Sequence, residues 1–146
     1  MSFISNGDIY STEMSDITDW TDGDSGSAVS SQVTFDSKSC MKLDKGDGIV
    51  STDQALRYRD IGTFGARTVF SFNLYNDLIE TSADGYFQFQ ARNGSTELSI
   101  KFLSDGLFIF NGSTFNEVGT NIVSQDTWQE WTFDVNWTAQ TVDVYL

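Results

Sequence analysis

Three glycine-containing dipeptides divide the middle of the chain into alternating runs, and they restrict the fold more than any other feature. Asn93-Gly94, Asp105-Gly106 and Asn111-Gly112 each stand between runs in which apolar and polar residues alternate. Such dipeptides readily adopt the positive φ angles of two-residue hairpin turns, and strict alternation is typical of strands with one buried face. The sequence therefore predicts an antiparallel meander across this region.

The meander has two faces of different character. Taking each dipeptide as a two-residue loop brings apolar residues together: Phe89 with Leu98, Phe87 with Ile100, and Phe102 with Ile109. Because successive side chains point to opposite sides of a strand, the intervening residues share the second face. That face begins polar and becomes aromatic, and we define it as the polar–aromatic face: Gln88, Gln90, Arg92, Glu97, Ser99, Lys101, Phe108, Phe110 and Phe115.

Everything else that is regular in the sequence also has a period of two. Thr68–Tyr75 is predicted as a strand, and shorter strands are predicted at 32–36, 40–44, 48–51 and, less regularly, 55–58. Residues 1–31 form the least regular segment and include an Asp-rich loop. We predict one domain over residues 1–146, with the sandwich strands in 32–146. The expected fold is all-β, an antiparallel two-sheet jelly-roll sandwich.

The C-terminal stretch WQEWTFDVNWTAQTVDVYL is predicted as a strand, a turn at 138–141 and a second strand. This places Trp131 and Trp137 on the core side, and it pairs Trp137 with Val142, Val135 with Val144, and Phe133 with Leu146. The row of core-facing apolar residues therefore continues to the last residue, Leu146. Two expectations follow. Either the sequence is truncated at its C-terminus and further chain completes the sheet, or a free sheet edge pairs with a neighbouring chain.

Composition excludes several classes of function. The 21 acidic and 8 basic residues give a net charge of −13, which repels phosphate backbones, so we expect no nucleic-acid partner. No run approaches the ~18 apolar residues of a membrane span, so we expect no membrane insertion. Histidine is absent, which removes Ser-His-Asp and Cys-His nucleophilic chemistry and the usual zinc ligand sets.

Several of these runs together resemble a known superfamily. DWTDGDSGSAVSSQVTFDSKSCMKLD, TVFSFNLY, GYFQFQARNGSTELSIKF and the C-terminal stretch are similar to the concanavalin A-like lectin/glucanase superfamily, in particular its laminin-G-like members. The resemblance implies a concanavalin A-like jelly roll. It does not imply catalysis here, because the Glu-x-Asp-x-x-Glu strand motif of the glucanases is absent.

The acidic pair on a predicted strand that comes nearest to that motif is too widely spaced for glycoside hydrolysis. Glu130 and Asp134 share a face but lie four residues apart, which is roughly 13 Å at the rise of a strand. Retaining enzymes hold their carboxyl groups about 5.5 Å apart, and inverting enzymes at most about 9.5 Å apart. We therefore expect the protein not to be an enzyme.

The Asp-rich loops have two interpretations. Asp22 and Asp24 lie in one turn-rich stretch, and Asp44 and Asp47 lie in another. Oxygen-rich loops of this kind can hold calcium, as the resemblance to laminin-G-like domains also implies. Turn-forming, solvated aspartates explain the same pattern. Calcium is the only cofactor that the sequence suggests.

The polar–aromatic face has three interpretations: a surface covered by a loop or buried as part of the core, a protein interface, or a ligand groove in which rings and amides contact a glycan. Two functional hypotheses follow. The first is a structural or assembly module of a virion or other extracellular assembly, of the decoration or tail type, which contacts other subunits through a free sheet edge or this face. The second is a laminin-G-like carbohydrate-binding module or adhesin. Either function places the protein at a virion or extracellular surface.

Overall fold

The computed structural model describes residues 2–5, 8–11, 18–44, 55–60, 62–75, 86–103 and 105–146. Within them the chain is all-β, and its strands form four antiparallel sheets. The strands are β1 (Ser2–Ser5), β2 (Asp8–Ser11), β3 (Thr21–Asp22), β4 (Val29–Phe35), β5 (Lys38–Asp44), β6 (Arg57–Tyr58), β7 (Arg67–Tyr75), β8 (Phe87–Asn93), β9 (Thr96–Leu103), β10 (Gly106–Phe110), β11 (Phe115–Gly119), β12 (Trp128–Asn136) and β13 (Thr141–Tyr145). Across these ranges no helix is long and apolar enough to cross a membrane.

The chain divides into two compact units, and the first comprises Met1 and Ser11–Gly62. It holds two small sheets, the hairpin β4–β5 and the pair β3–β6. Asp36 and Ser37 join β4 to β5, and both have positive φ angles, 49° and 61°, as in a type I′ turn. The two strands predicted at 32–36 and 40–44 are thus a hairpin that begins earlier, at Val29. The strand predicted at 48–51 lies outside the described residues.

The second unit comprises Ser2–Tyr10 and Thr63–Leu146 and contains the two larger sheets. One has five strands in the order β13-β12-β7-β1-β2, and the other has four in the order β11-β10-β9-β8. Strand β12 pairs along its whole length with β7, from Trp128 opposite Tyr75 to Asn136 opposite Arg67. The four-stranded sheet is the meander predicted from the glycine dipeptides.

Aromatic rings from both sheets of this unit form its core. Phe72 of β7 contacts Phe89 of β8 and Phe102 of β9, with ring centroids 5.3 and 6.1 Å apart. Trp131 of β12 lies edge-on to Phe102 at 5.1 Å and is fully buried, as predicted. Burying a large apolar side chain contributes about 1.5–3 kcal/mol. These contacts hold the inner faces of the two sheets together. The outer face of the meander does not take part in them.

The predicted registers of the meander are wrong by two residues, although the faces are right. Phe89 lies opposite Ile100 rather than Leu98, and Phe102 lies opposite Leu107 rather than Ile109. The first loop is Gly94-Ser95, because Asn93 stays in the strand opposite Thr96 while Gly94 alone takes a positive φ of 61°. A shift of two residues keeps each side chain on its face, since the period of a strand is two.

The other two predicted turns also differ. Gly106 is not a turn residue but pairs with Leu103 as the first residue of β10. The loop before β11 has four residues, 111–114, because the side-chain oxygen of Asn111 accepts hydrogen bonds from the backbone N–H groups of Ser113 and Thr114.

The predicted register of the C-terminal hairpin is also wrong by two residues. Val135 lies opposite Val142 and Phe133 opposite Val144, so the turn is 137–140 rather than 138–141. Gln140 supplies the positive φ, and the Asn136 side chain accepts a hydrogen bond from the backbone of Ala139. Trp137 therefore lies in the turn, yet it is buried as predicted, with 7% of its surface exposed.

The expected division into two sheets is not what the structure has. Four of the described strands form two further sheets, because β3 and β6 pair only with each other and β4 pairs only with β5. The segment predicted to be irregular contains β1 and β2, which belong to the five-stranded sheet.

Candidate functional site

The polar–aromatic face is the outer face of the four-stranded sheet, and cross-strand pairing brings its predicted members together. Gln88 lies opposite Lys101, which in turn lies opposite Phe108. The remaining pairs are Gln90 with Ser99, Arg92 with Glu97, and Phe110 with Phe115. The sequence pattern thus gathered nine residues that the fold places on one continuous surface.

Hydrogen bonds connect the polar residues of this face. The Gln88 side-chain amide donates to the Ser99 hydroxyl at 2.6 Å, and Ser99 is 2% exposed. The Gln90 amide donates to Glu97 at 3.3 Å, and Arg92 Nε donates to the other oxygen of the same carboxylate at 2.8 Å. These contacts link the polar residues of β8 and β9 into a ladder.

Lys101 lies between two aromatic rings at the centre of the face. Its ammonium nitrogen is 3.8 Å from the centroid of the Tyr86 ring and 4.3 Å from that of Phe115. A cation over an aromatic face contributes about 0.5–1 kcal/mol at an exposed site. Phe110 contacts Phe115 at 5.1 Å, and Phe108, Phe110 and Phe115 are all half-buried. The result is a compact aromatic patch around one positive charge.

Tyr86 was not among the residues assigned to this face from the sequence. It is 38% exposed and directly precedes β8. Alternation could have assigned it to this face, because Tyr86 is two residues before Gln88 and side chains two residues apart lie on the same side of a strand. It was missed because the residue precedes the alternating run rather than lying within it.

The predicted calcium ligands have other partners. Asp24 uses both carboxylate oxygens in the first unit: one accepts from the backbone N–H and hydroxyl of Ser30, at 2.5 and 2.8 Å, and the other accepts from the Leu56 N–H at 2.7 Å. Asp22 lies 3.3 Å from Arg57, and Asp44 lies 2.6 Å from Lys42.

Asp47 lies outside the described residues, so the four-aspartate site remains a prediction. In the part of the chain that the structure describes, no group of three or more acidic, cysteine or histidine residues is placed to hold a metal ion.

The hydrogen bonds to Asp24 also determine its acidity. Partial burial by itself raises the pKa of this carboxyl group, but the hydrogen bonds from Ser30 and Leu56, together with the charge of Arg57, outweigh that effect and leave the pKa lowered. Arg57 donates from Nε to the Ser30 hydroxyl at 2.5 Å. The charged carboxylate therefore joins β4 to β6 and is a structural element of this unit.

The two carboxylates of the acidic pair on β12 have different surroundings. Asp134 accepts two hydrogen bonds from Arg67, one of them from Nε at 2.7 Å and the other from Nη2. The Arg67 hydrogen bonds lower the pKa of Asp134, which keeps the carboxylate ionised. A general acid requires the opposite, a raised pKa. Glu130 is exposed on the same strand.

A second feature of this unit was not anticipated from the sequence. A shallow groove of about 450 Å³, largely open to solvent, lies between the segment 63–66, the hairpin at Asn93-Gly94 with Thr96, and the turn at Trp137 and Thr138. Its three walls come from distant parts of the sequence, and no short motif joins them. A scan against protein-family models and searches of curated proteins and of solved structures find no match to this chain.

Proposed function

We propose that this protein is a non-enzymatic structural or assembly module of a virion or other extracellular assembly, of the decoration or tail type, which packs against other protein subunits through its polar–aromatic face. The observation that carries this proposal is the aromatic patch around Lys101. Aromatic rings surround the Lys101 ammonium group, and the hydrogen-bonded polar residues lie beside these rings.

That composition is typical of protein interfaces. Aromatic residues are enriched at the core of such interfaces, and a polar rim surrounds them. Tyr86, Phe110 and Phe115 would form the core, while the ladder from Gln88 to Arg92 would form part of the rim. Because the ladder residues already bond to one another, part of their hydrogen-bonding capacity stays satisfied when a partner covers them, which lowers the desolvation cost of binding.

The state of the carboxylates supports a non-catalytic role. Asp134 is held ionised by Arg67, Asp24 is held by backbone N–H groups, and Glu97 is held by Arg92. Each of these groups is committed to a contact that stabilises the fold. The pKa values of Asp24 and Asp134 are lowered, whereas an acid catalyst requires a raised pKa.

The finer fold is also part of the proposal. A concanavalin A-like jelly roll, with a laminin-G-like arrangement, agrees with the ring contacts between the five-stranded and four-stranded sheets of the second unit. Such folds serve as surface modules, which suits a virion or extracellular location.

Light scattering after size-exclusion chromatography tests the assembly function. We expect the purified chain to form a defined oligomer and Phe115→Ala to shift it towards monomer, because the change removes a ring at the centre of the patch. Tyr145→Ala is the control, since Tyr145 is 55% exposed but lies on β13, in the other sheet of the same unit. Circular dichroism confirms that each variant folds. A wild-type chain that stays monomeric at every concentration would contradict the proposal.

A laminin-G-like carbohydrate-binding module or adhesin is the second candidate function. The observation that favours it is the groove beside Trp137, which is separate from the polar–aromatic face. The two functions are compatible, because assembly subunits at a surface can also bind glycans through a different site.

A further inference from the structure

The groove has a rigid apolar wall. Trp137 is fixed by a hydrogen bond from its backbone N–H to the carbonyl of Ala66 and by another from its indole Nε1 to the hydroxyl of Thr68, both 2.9 Å long. Its ring stacks on Phe64, with centroids 5.7 Å apart and planes inclined by 2°. Trp137 and Phe64 are 7% and 9% exposed, so a small part of each residue reaches the groove.

Polar groups surround this wall. Asn93 donates from its side-chain nitrogen to the carbonyl oxygens of Phe64 and Gly65, at 3.1 and 3.4 Å. These bonds fix the amide, whose side-chain oxygen can accept a hydrogen bond. Thr63, Thr96 and Thr138 add three hydroxyl groups that can both donate and accept.

The groove is also open on the side of the hairpin. Gly94 has a φ of 61°, and a Cβ atom at this position would find nothing within 4 Å. The backbone of the turn is therefore accessible from the groove. Binding sites of this kind use a few fixed polar groups for orientation and an apolar surface for contact.

The lining carries no charge, although the chain as a whole has a net charge of −13. A site for a cation or an anion would provide an opposite charge close to the ligand. Hydroxyl and amide groups beside an apolar wall instead suit a neutral ligand that has many hydroxyl groups and also C–H surfaces. The volume of about 450 Å³ is that of a shallow surface groove, so a ligand bound there keeps one side in solvent.

We infer that this groove binds a neutral saccharide unit, whose C–H surface contacts the exposed parts of Phe64 and Trp137 and whose hydroxyl groups bond to Asn93 and the threonines. The inference rests on the second candidate function and gives it a site and a ligand class. It is independent of the polar–aromatic face, so either proposal can fail alone.

A printed array of neutral, sialylated and sulfated glycans tests the inference, followed by titration calorimetry with the neutral glycan bound best. We expect binding to at least one neutral glycan. Thr63→Trp and Thr138→Trp place a large ring in the groove at exposed positions, and we expect each to weaken binding by about tenfold or more. Thr141→Trp is the matched control, because Thr141 is also exposed but does not line the groove.

The pattern of binding among the variants supports or overturns the inference. Loss of binding in both groove variants, with retention in Thr141→Trp and Phe115→Ala, supports the groove. Binding that is lost only in Phe115→Ala assigns the glycan to the polar–aromatic face and overturns the inference. An array that shows no binding, or binding to acidic glycans alone, also overturns it. Failure here leaves the oligomer measurement unaffected.

Discussion

At the scale of single residues, Asp24 is the side chain on which the first unit depends most clearly. Its carboxylate accepts three hydrogen bonds from Ser30 and Leu56. Asp24→Asn keeps the shape but replaces one accepting oxygen with a donor, which leaves at least one N–H group without a partner. We expect a loss of about 1–3 kcal/mol in the free energy of unfolding, measured by urea denaturation.

Asp19→Asn is the matched control for this change. Asp19 is 73% exposed and lies 3.6 Å from Arg59, and an exposed ion pair contributes at most about 1 kcal/mol. Equal destabilisation by the two substitutions would show that the hydrogen bonds of Asp24 are not the cause.

The lowered pKa values of Asp24 and Asp134 predict how stability responds to acid. A carboxyl group whose pKa is lower in the folded than in the unfolded state stabilises the fold above its unfolded pKa, and this contribution is lost as the pH falls through the folded pKa. We expect the urea midpoint to fall below about pH 4, the usual range for aspartate. Asp24→Asn and Asp134→Asn should each flatten the fall, and an unchanged slope in both would contradict the assignment.

At the scale of strands and turns, the hairpin β8–β9 depends on the conformation of Gly94. Its φ is 61°, and no atom lies within 4 Å of the position that a Cβ would occupy, so a substitution there changes backbone strain without a clash. We expect Gly94→Ala to destabilise the protein by about 1–2 kcal/mol, the cost of a left-handed residue with a side chain. Chemical denaturation measures it, with Ser95→Ala as the control in the same turn. Equal stability of the two variants would contradict the turn geometry.

The same hairpin shows what the sequence could and could not predict. The faces of the strands were correct because a period of two is fixed by which side chains are buried, and a shift of two residues does not alter it. The register was wrong because Asn93 remains in the strand, held by the carbonyl oxygens of Phe64 and Gly65, which are almost thirty residues away. No local rule for Asn-Gly turns contains that contact.

Of the two candidate sites, one could be predicted from the sequence and the other could not. The polar–aromatic face could be assembled from alternation alone, because its members lie on consecutive strands. The groove could not, since its walls meet through two long-range contacts. The pairing of β7 with β12 brings the turn at Trp137 beside Ala66, and Asn93 bonds to Phe64 and Gly65. Long-range pairing of this kind leaves no periodic signal in the sequence.

At the scale of the whole molecule, the net charge of −13 opposes folding and association. Close pairs such as Arg67 with Asp134 and Arg92 with Glu97 engage few of the 21 acidic residues, because the chain has only eight basic ones. The excess carboxylates repel one another in the compact state more than in the unfolded chain. Salt weakens this repulsion, since the Debye length falls from about 30 Å at 0.01 M to about 10 Å at 0.1 M.

We therefore expect the urea midpoint at pH 7 to rise as sodium chloride increases from about 0.01 M to about 0.3 M, because screening stabilises a chain dominated by like charges. The same series near pH 4.1, the isoelectric point, is the control, and there the rise should vanish because the net charge is close to zero. The oligomer should respond in the same direction, with salt at pH 7 shifting the mass distribution towards the associated state. A fall in stability with salt at pH 7 would mean that attractive ion pairs, rather than the net charge, dominate the electrostatics of this protein.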